Sequence, residues 1–293
     1  MEQEFVRVYA DTADYFMESL YENQDSGVTA ILAEEGNLTQ ALGLALESKQ
    51  WDNAQLLIQP LAQVYHMQKR FAELRRLRGQ ILEIVGQTSE EAIAKNAVEL
   101  WLYLLGTESS EAVDLHDLEY AEDLNNKLLQ YLESQPEGDS DPRTAAVYHQ
   151  FGQVARQRWQ LDEAVEWFEK SLAIVEDSDD PSASSDDLFA LGQVKQNQRY
   201  YTEAKELYQK ALDIHQRLPD EESMVNDYRA LGTVCQLKFE YEEAANWLNR
   251  ARAIVEEQRD EETAILIFHQ MGVVAHAQYF FDDAISWYQQ ALQ

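Results

Sequence analysis

Apolar and small residues recur along the second half of the chain at intervals of three and four, the spacing of a single helical face. Tyr148, Phe151, Gly152 and Ala155 fall at i, i+3, i+4 and i+7, and Ala164, Phe168 and Leu172 at i, i+4 and i+8. Each set predicts a helix, and the polar stretch Gln160 to Asp162 predicts a tight turn between them. The unit reads as a helical hairpin. Residues 1–134 read as helices with weaker repetition. Trp51-Asp52-Asn53-Ala54 and Arg70-Phe71-Ala72-Glu73 look like starts of second helices, and Glu91 to Leu105 and Leu118 to Leu132 like a further pair. Asn37, with Gln40 three residues on, reads as a helix start.

The hairpin repeats. Gly152, Gly192, Gly232 and Gly272 are each 40 residues apart, and Ala164, Ala204, Ala244 and Ala284 keep the same interval. Four residues after each Ala stands a large side chain: Phe168, Tyr208, Leu248 or Tyr288. Small residues on facing helices let two backbones nest, with the large residues filling the space beside them. A lone hairpin cannot bury both faces; stacked hairpins can. The expected organisation is degenerate helical repeats over 1–134, a linker over 135–142 and four repeats over 143–293, the last shortened. Asp141 caps the helix after the linker, with Pro142 at its first position.

Phe151-Gly152-Gln153-Val154 with Glu163-Ala164 and Phe168, and Leu191-Gly192-Gln193-Val194 with Glu203-Ala204 and Tyr208, resemble tetratricopeptide repeats. The 40-residue interval is similar to the longer-helix variety of kinesin light chains and many bacterial signalling proteins. The resemblance implies an all-α fold, a right-handed α-solenoid of stacked hairpins, acting as a protein-binding scaffold with first helices on the concave face. Glu34-Glu35-Gly36-Asn37-Leu38 followed by Ala41-Leu42 and Ala45-Leu46 resembles the segment after the NTPase core in bacterial STAND-type signalling ATPases. That likeness implies the partner-sensing part of a larger bacterial signalling protein. A Gly-x-x-x-x-Gly-Lys-Ser/Thr loop is absent from the sequence.

With the core positions assigned, the remaining face of the first helices predicts the binding surface. It comprises His149, Gln153, Arg156 and Gln157, then Phe189, Gln193, Gln196 and Asn197. Arg229, Thr233 and Gln236 follow, then His269, Val273 and His276. These amides, imidazoles and guanidiniums suit an extended peptide or a helix. The face is expected to be free of acids, with exposed Phe189 as an aromatic anchor. It lacks the Lys and Asn with which some tetratricopeptide domains hold a C-terminal carboxylate.

Charge narrows the partners. With 54 acids against 23 bases the net charge is −31, which disfavours nucleic acid and anionic membrane and favours protein or peptide. Glu176 to Asp187, Pro219 to Glu222 and Glu256 to Glu262 read as acidic inter-repeat loops along one edge, a docking edge or solvated charge. Lys69, Arg70, Arg75, Arg76 and Arg78 read as a solvated helix face paired with Glu73 and Glu83, with capture of an acidic group as the alternative. The single cysteine, Cys235, takes a core position, so no disulfide or cysteine-based zinc site is expected. Neither His-Glu-x-x-His nor Gly-x-Ser-x-Gly occurs. No cofactor, metal or catalytic residue is expected; an enzyme is the remote alternative and a free-standing adaptor the nearer one. The N-terminus lacks a signal-peptide pattern, so a cytoplasmic location is expected. The shortened last repeat leaves an apolar face open, so the natural protein is expected to continue or two chains to pair there.

Overall fold

The computed structural model describes residues 1–86, 97–136, 138–176, 181–218 and 220–292. Among these, fourteen α-helices and one 3-10 turn are formed and no strand. The chain is an all-α solenoid of helical hairpins, as its periodicity predicts. Two compact units divide it, Met1–Leu115 and His116–Gln293.

The first unit holds α1 (Glu2–Glu22), α2 (Gln24–Glu47), α3 (Trp51–Met67), α4 (Phe71–Gly86) and α5 (Val98–Asp114). Helices α3 and α4 begin at the two starts read from the sequence. Asn37 does not begin a helix: α2 runs through it, and its amide donates to Glu34 one turn earlier. Gly36, also inside α2, keeps a negative φ and so interrupts nothing. Leu38, Ala41, Leu42 and Ala45 are buried against Leu57 and Leu61 of α3. Of the predicted Glu91–Leu105 helix, 91–96 lie outside the described residues.

The second unit holds α6 (Leu118–Glu133), α7 (Pro142–Gln157), α8 (Leu161–Val175), α9 (Pro181–Asn197) and α10 (Tyr201–His215). It continues with α11 (Glu221–Leu237), α12 (Tyr241–Gln258), α13 (Glu261–Ala277) and α14 (Phe281–Gln290). The 135–142 stretch contains a 3-10 turn, Gly138–Ser140, after which the Asp141 carboxylate accepts from Arg143 N–H and opens α7 with Pro142 in its first turn. The acidic stretch 176–187 is not all loop, because α9 already begins at Pro181. Glu221, Glu222, Glu256, Glu261 and Glu262 likewise lie in helix ends.

Helices pack in chain order: α7 on α8, α8 on α9, and so on to α14. The repeat glycines work differently from the simplest expectation. A Cβ on Gly152 would lie 2.6 Å from the Phe168 ring, and on Gly192 2.6 Å from the Tyr208 ring. Gly232 faces Leu248 and Gly272 faces Tyr288 in the same way. The glycine therefore seats the large side chain of the second helix, and a Cβ on Gly232 would also lie 3.5 Å from the Ala244 carbonyl oxygen. Trp167, Trp247 and Trp287 add stacked contacts to Phe151, Tyr228 and Phe268.

The turn within each of the four repeats is a Schellman motif. In the first repeat, Gln160 N–H donates to Ala155 O at 2.9 Å and Trp159 N–H to Arg156 O at 3.0 Å. Trp159 is left-handed, with φ 60°, and Arg199, Phe239 and Tyr279 repeat the conformation at 66°, 64° and 65°.

Candidate interaction surface

On α7, the core positions Phe151, Gly152, Val154 and Ala155 are buried, and the helix cannot hide its remaining face. His149, Gln153, Arg156 and Gln157 stay half-buried there. Three of them join into a relay. His149 Nδ1 donates to Asp187 Oδ1 at 2.7 Å, and the Gln153 amide lies 3.1 Å from His149 Nε2. Gln153 Oε1 in turn accepts from Arg156 Nε at 3.0 Å and Nη2 at 2.6 Å. The amide and imidazole are thereby oriented, and the guanidinium is held by a neutral amide oxygen. Burial disfavours the charge of Arg156 and lowers its pKa.

Two acids lie in the core behind these positions. Asp187 and Asp227 are buried, the first under His149, the second 2.6 Å from His215 Nδ1. Both stand where the neighbouring repeats carry Val147 and Ile267. An acid at an apolar register position was the signal that could have found them. Beside the His149–Asp187 pair lies a cleft of about 230 Å³, lined also by Ala145, Val175 and Asp186.

Phe189 is half-buried, its ring 5.2 Å from Tyr208, and so is less open than an exposed anchor. Gln193 is half-buried; Gln196 accepts from the Tyr208 hydroxyl, and Asn197 is exposed. On α11, the Thr233 hydroxyl donates to Arg229 O and accepts from Gln270 of α13. Gln236 is half-buried. Arg229 Nε is buried without a hydrogen-bond partner, and burial lowers its pKa too. On α13, Val273 is half-buried, while His269 and His276 are exposed and contact Tyr288 and Phe281 respectively. The last two histidines thus engage separate rings.

Cys235 is fully buried, and burial pushes its thiol up to about 11. It lies within 4.8 Å of Glu240 and Glu243 carboxylate oxygens, the one such group among the described residues. The Lys205 ammonium donates to both carboxylates, at 2.9 and 2.7 Å, and already supplies their counter-charge. In the first unit the basic cluster is only partly solvated. Arg78 is buried in an ion pair with Glu111, beside a cleft of about 300 Å³ that also contains His66 and Tyr103. Arg70 joins Glu35 and Glu73.

Residues 144–177 and 187–257 match tetratricopeptide-repeat family models. These are tetratricopeptide repeats. BtubC (BKLC) from P. vanneervenii is similar in fold, with TM-score 0.58, 21% identity and coverage of 75% of this chain and 84% of that one. A kinesin light chain-type protein from Podosopora anserina with nearly identical TPR-like repeats gives 0.56 and 18%, covering 65% and 92%. Apo RapI gives 0.58 and 13%, covering 79% and 93%. At these identities the likeness establishes the fold. No curated protein sequence matches the chain. Among the described residues, no helix is long and apolar enough to cross a membrane.

Proposed function

We propose that this chain is a protein-interaction scaffold whose tetratricopeptide repeats bind a peptide or protein segment on the concave face lined by α7, α9, α11 and α13. The observation that carries this reading is Arg229, whose buried Nε has no partner. A buried donor left unpaired costs stability and is expected to have a use. A backbone carbonyl or carboxylate of a bound segment would satisfy it. The oriented His149–Gln153–Arg156 relay supplies further fixed polar groups next along the array. Successive first helices approach each other, α7 to α9 and α11 to α13, which supports their placement on the inner side.

The test is selection of peptides from a displayed library on the folded protein, followed by titration of the best one. Phe189→Ala with Arg229→Glu should weaken that peptide at least about tenfold, the scale of losing a hydrogen bond to a charged group. Equal affinity for the variant and the parent would overturn the groove.

Within this reading the chain is the sensing region of a larger bacterial STAND-type signalling protein, working in the cytoplasm. Support comes from the Glu34–Leu46 resemblance, and a free-standing adaptor is the competing form. A reading frame without an adjoining NTPase would favour the adaptor. Self-association through the last hairpin is a separate proposal, supported by exposed Phe281 and Ile285. A monomer mass independent of concentration on sedimentation would count against it.

A further inference from the structure

The turns between paired helices carry a second feature, away from the first-helix groove. The left-handed position that closes a Schellman motif favours glycine, because any Cβ crowds the backbone there. Here the four repeat turns place Trp159, Arg199, Phe239 and Tyr279 in it, and no described glycine has a positive φ. Local backbone preference therefore does not explain these residues. Nor does burial: Trp159 is 70% exposed, Phe239 77% and Tyr279 79%. In the second turn, where the position holds Arg199, the next residue Tyr200 is 54% exposed. Each repeat thus projects at least one aromatic ring from the same edge, one repeat apart, and the fourth adds Phe280 and Phe281, 56% and 53% exposed.

The surroundings of these rings select a partner by charge. Every second helix opens with acids beside its turn: Asp162 and Glu163, Glu203, Glu242 and Glu243, Asp282 and Asp283. Several nearby cations are paired within the chain, while Arg199, in the second turn itself, is exposed. Arg158 pairs with Glu122, Lys238 with Glu240, and Lys205 with Glu240 and Glu243. An exposed ring next to a carboxylate is the chemistry that holds a lysine or arginine side chain, by cation–π attraction and ion pairing together. The chain already shows a cation on one of these rings, Lys195 lying 5.6 Å from the centre of Tyr200. Phosphate backbones and anionic lipid would meet the acids and the net charge of −31 and be repelled.

We propose that the hairpin-turn edge of residues 142–292 is a second docking surface, on which Trp159, Tyr200, Phe239 and Tyr279 receive the side chains of a lysine- or arginine-rich protein segment. This surface is independent of the concave groove, and either can be occupied without the other.

Fluorescence anisotropy with labelled poly-L-arginine tests it. The variant Trp159→Gly, Phe239→Gly, Tyr279→Gly removes three rings and gives the turns the residue their backbone prefers, so the fold is retained. Its affinity should fall about tenfold to a hundredfold, the loss of three exposed cation–π contacts. A control, Glu256→Gln, Glu257→Gln, Glu261→Gln, removes three charges from the other ends of the helices and should change affinity far less. The groove variant Phe189→Ala, Arg229→Glu should bind the probe as the parent does, which separates failure of this surface from failure of the groove. Undiminished binding by the glycine variant would overturn the proposal, as would an equal loss in the control. Binding of duplex DNA or phosphatidylserine vesicles to the same rings would overturn it too. If circular dichroism shows that the glycine variant has lost helix, the corresponding asparagine variant is read by the same criteria.

Discussion

Gly192 and Gly36 show how little a residue type says without its neighbours. Both sit inside helices, where glycine costs roughly 0.5–1 kcal/mol relative to alanine. A Cβ on Gly36 would meet nothing within 4 Å, whereas one on Gly192 would lie 2.6 Å from the fully buried Tyr208 ring. Gly36→Ala should therefore stabilise the protein by about 0.5–1 kcal/mol, and Gly192→Ala should destabilise it by about 1–3 kcal/mol through overpacking. Urea unfolding of the two variants checks both signs; equal shifts would mean that the ring does not rest on the glycine. The 40-residue register alone identifies Gly192 as special. That its counterpart is Tyr208 rather than Ala204 required the packed hairpin.

At the scale of elements, α10 and α11 are joined by a polar contact that the apolar pattern did not announce. His215 and Asp227 are both buried and hydrogen-bonded through Asp227 Oδ2, and Asp227 Oδ1 has no hydrogen-bond partner. Burial opposes a charge on His215, but the hydrogen bond and negative charge of Asp227 outweigh it, aided by Asp220 and Asp186, so its pKa is raised. A histidine with a raised folded pKa stabilises fully below its unfolded value, about 6.5, and loses that contribution as pH rises through the folded value. The urea midpoint should accordingly fall as pH rises above about 6.5. His215→Gln should cost about 1–3 kcal/mol at pH 6 and remove that step. A variant that keeps the same pH slope would place its origin in another group. The helix starts at Trp51 and Phe71 were legible because turn chemistry is local. The span of α9 was not, because Pro181 to Asp187 reads as an acidic loop until His149 and the core claim Asp187.

At the scale of the whole molecule, charge governs behaviour outside the core. A net charge of −31 repels itself, and salt screens that repulsion, the Debye length falling from about 30 Å at 0.01 M to about 10 Å at 0.1 M. The thermal midpoint should rise over that range. A fall would mean that surface ion pairs such as Arg158–Glu122 outweigh the repulsion. The sequence by itself determined the all-α class, the hairpin as building block and the identity of most core positions, because helical periodicity and a constant repeat interval are properties of one dimension. Tertiary structure alone decided which polar residues became buried, as Arg78, Asp187 and Asp227 did, because a charge enters the interior only where another part of the chain brings its partner. It also decided that the large residues at Trp159, Phe239 and Tyr279 point to solvent, since their place in a left-handed turn carries them off both helical faces.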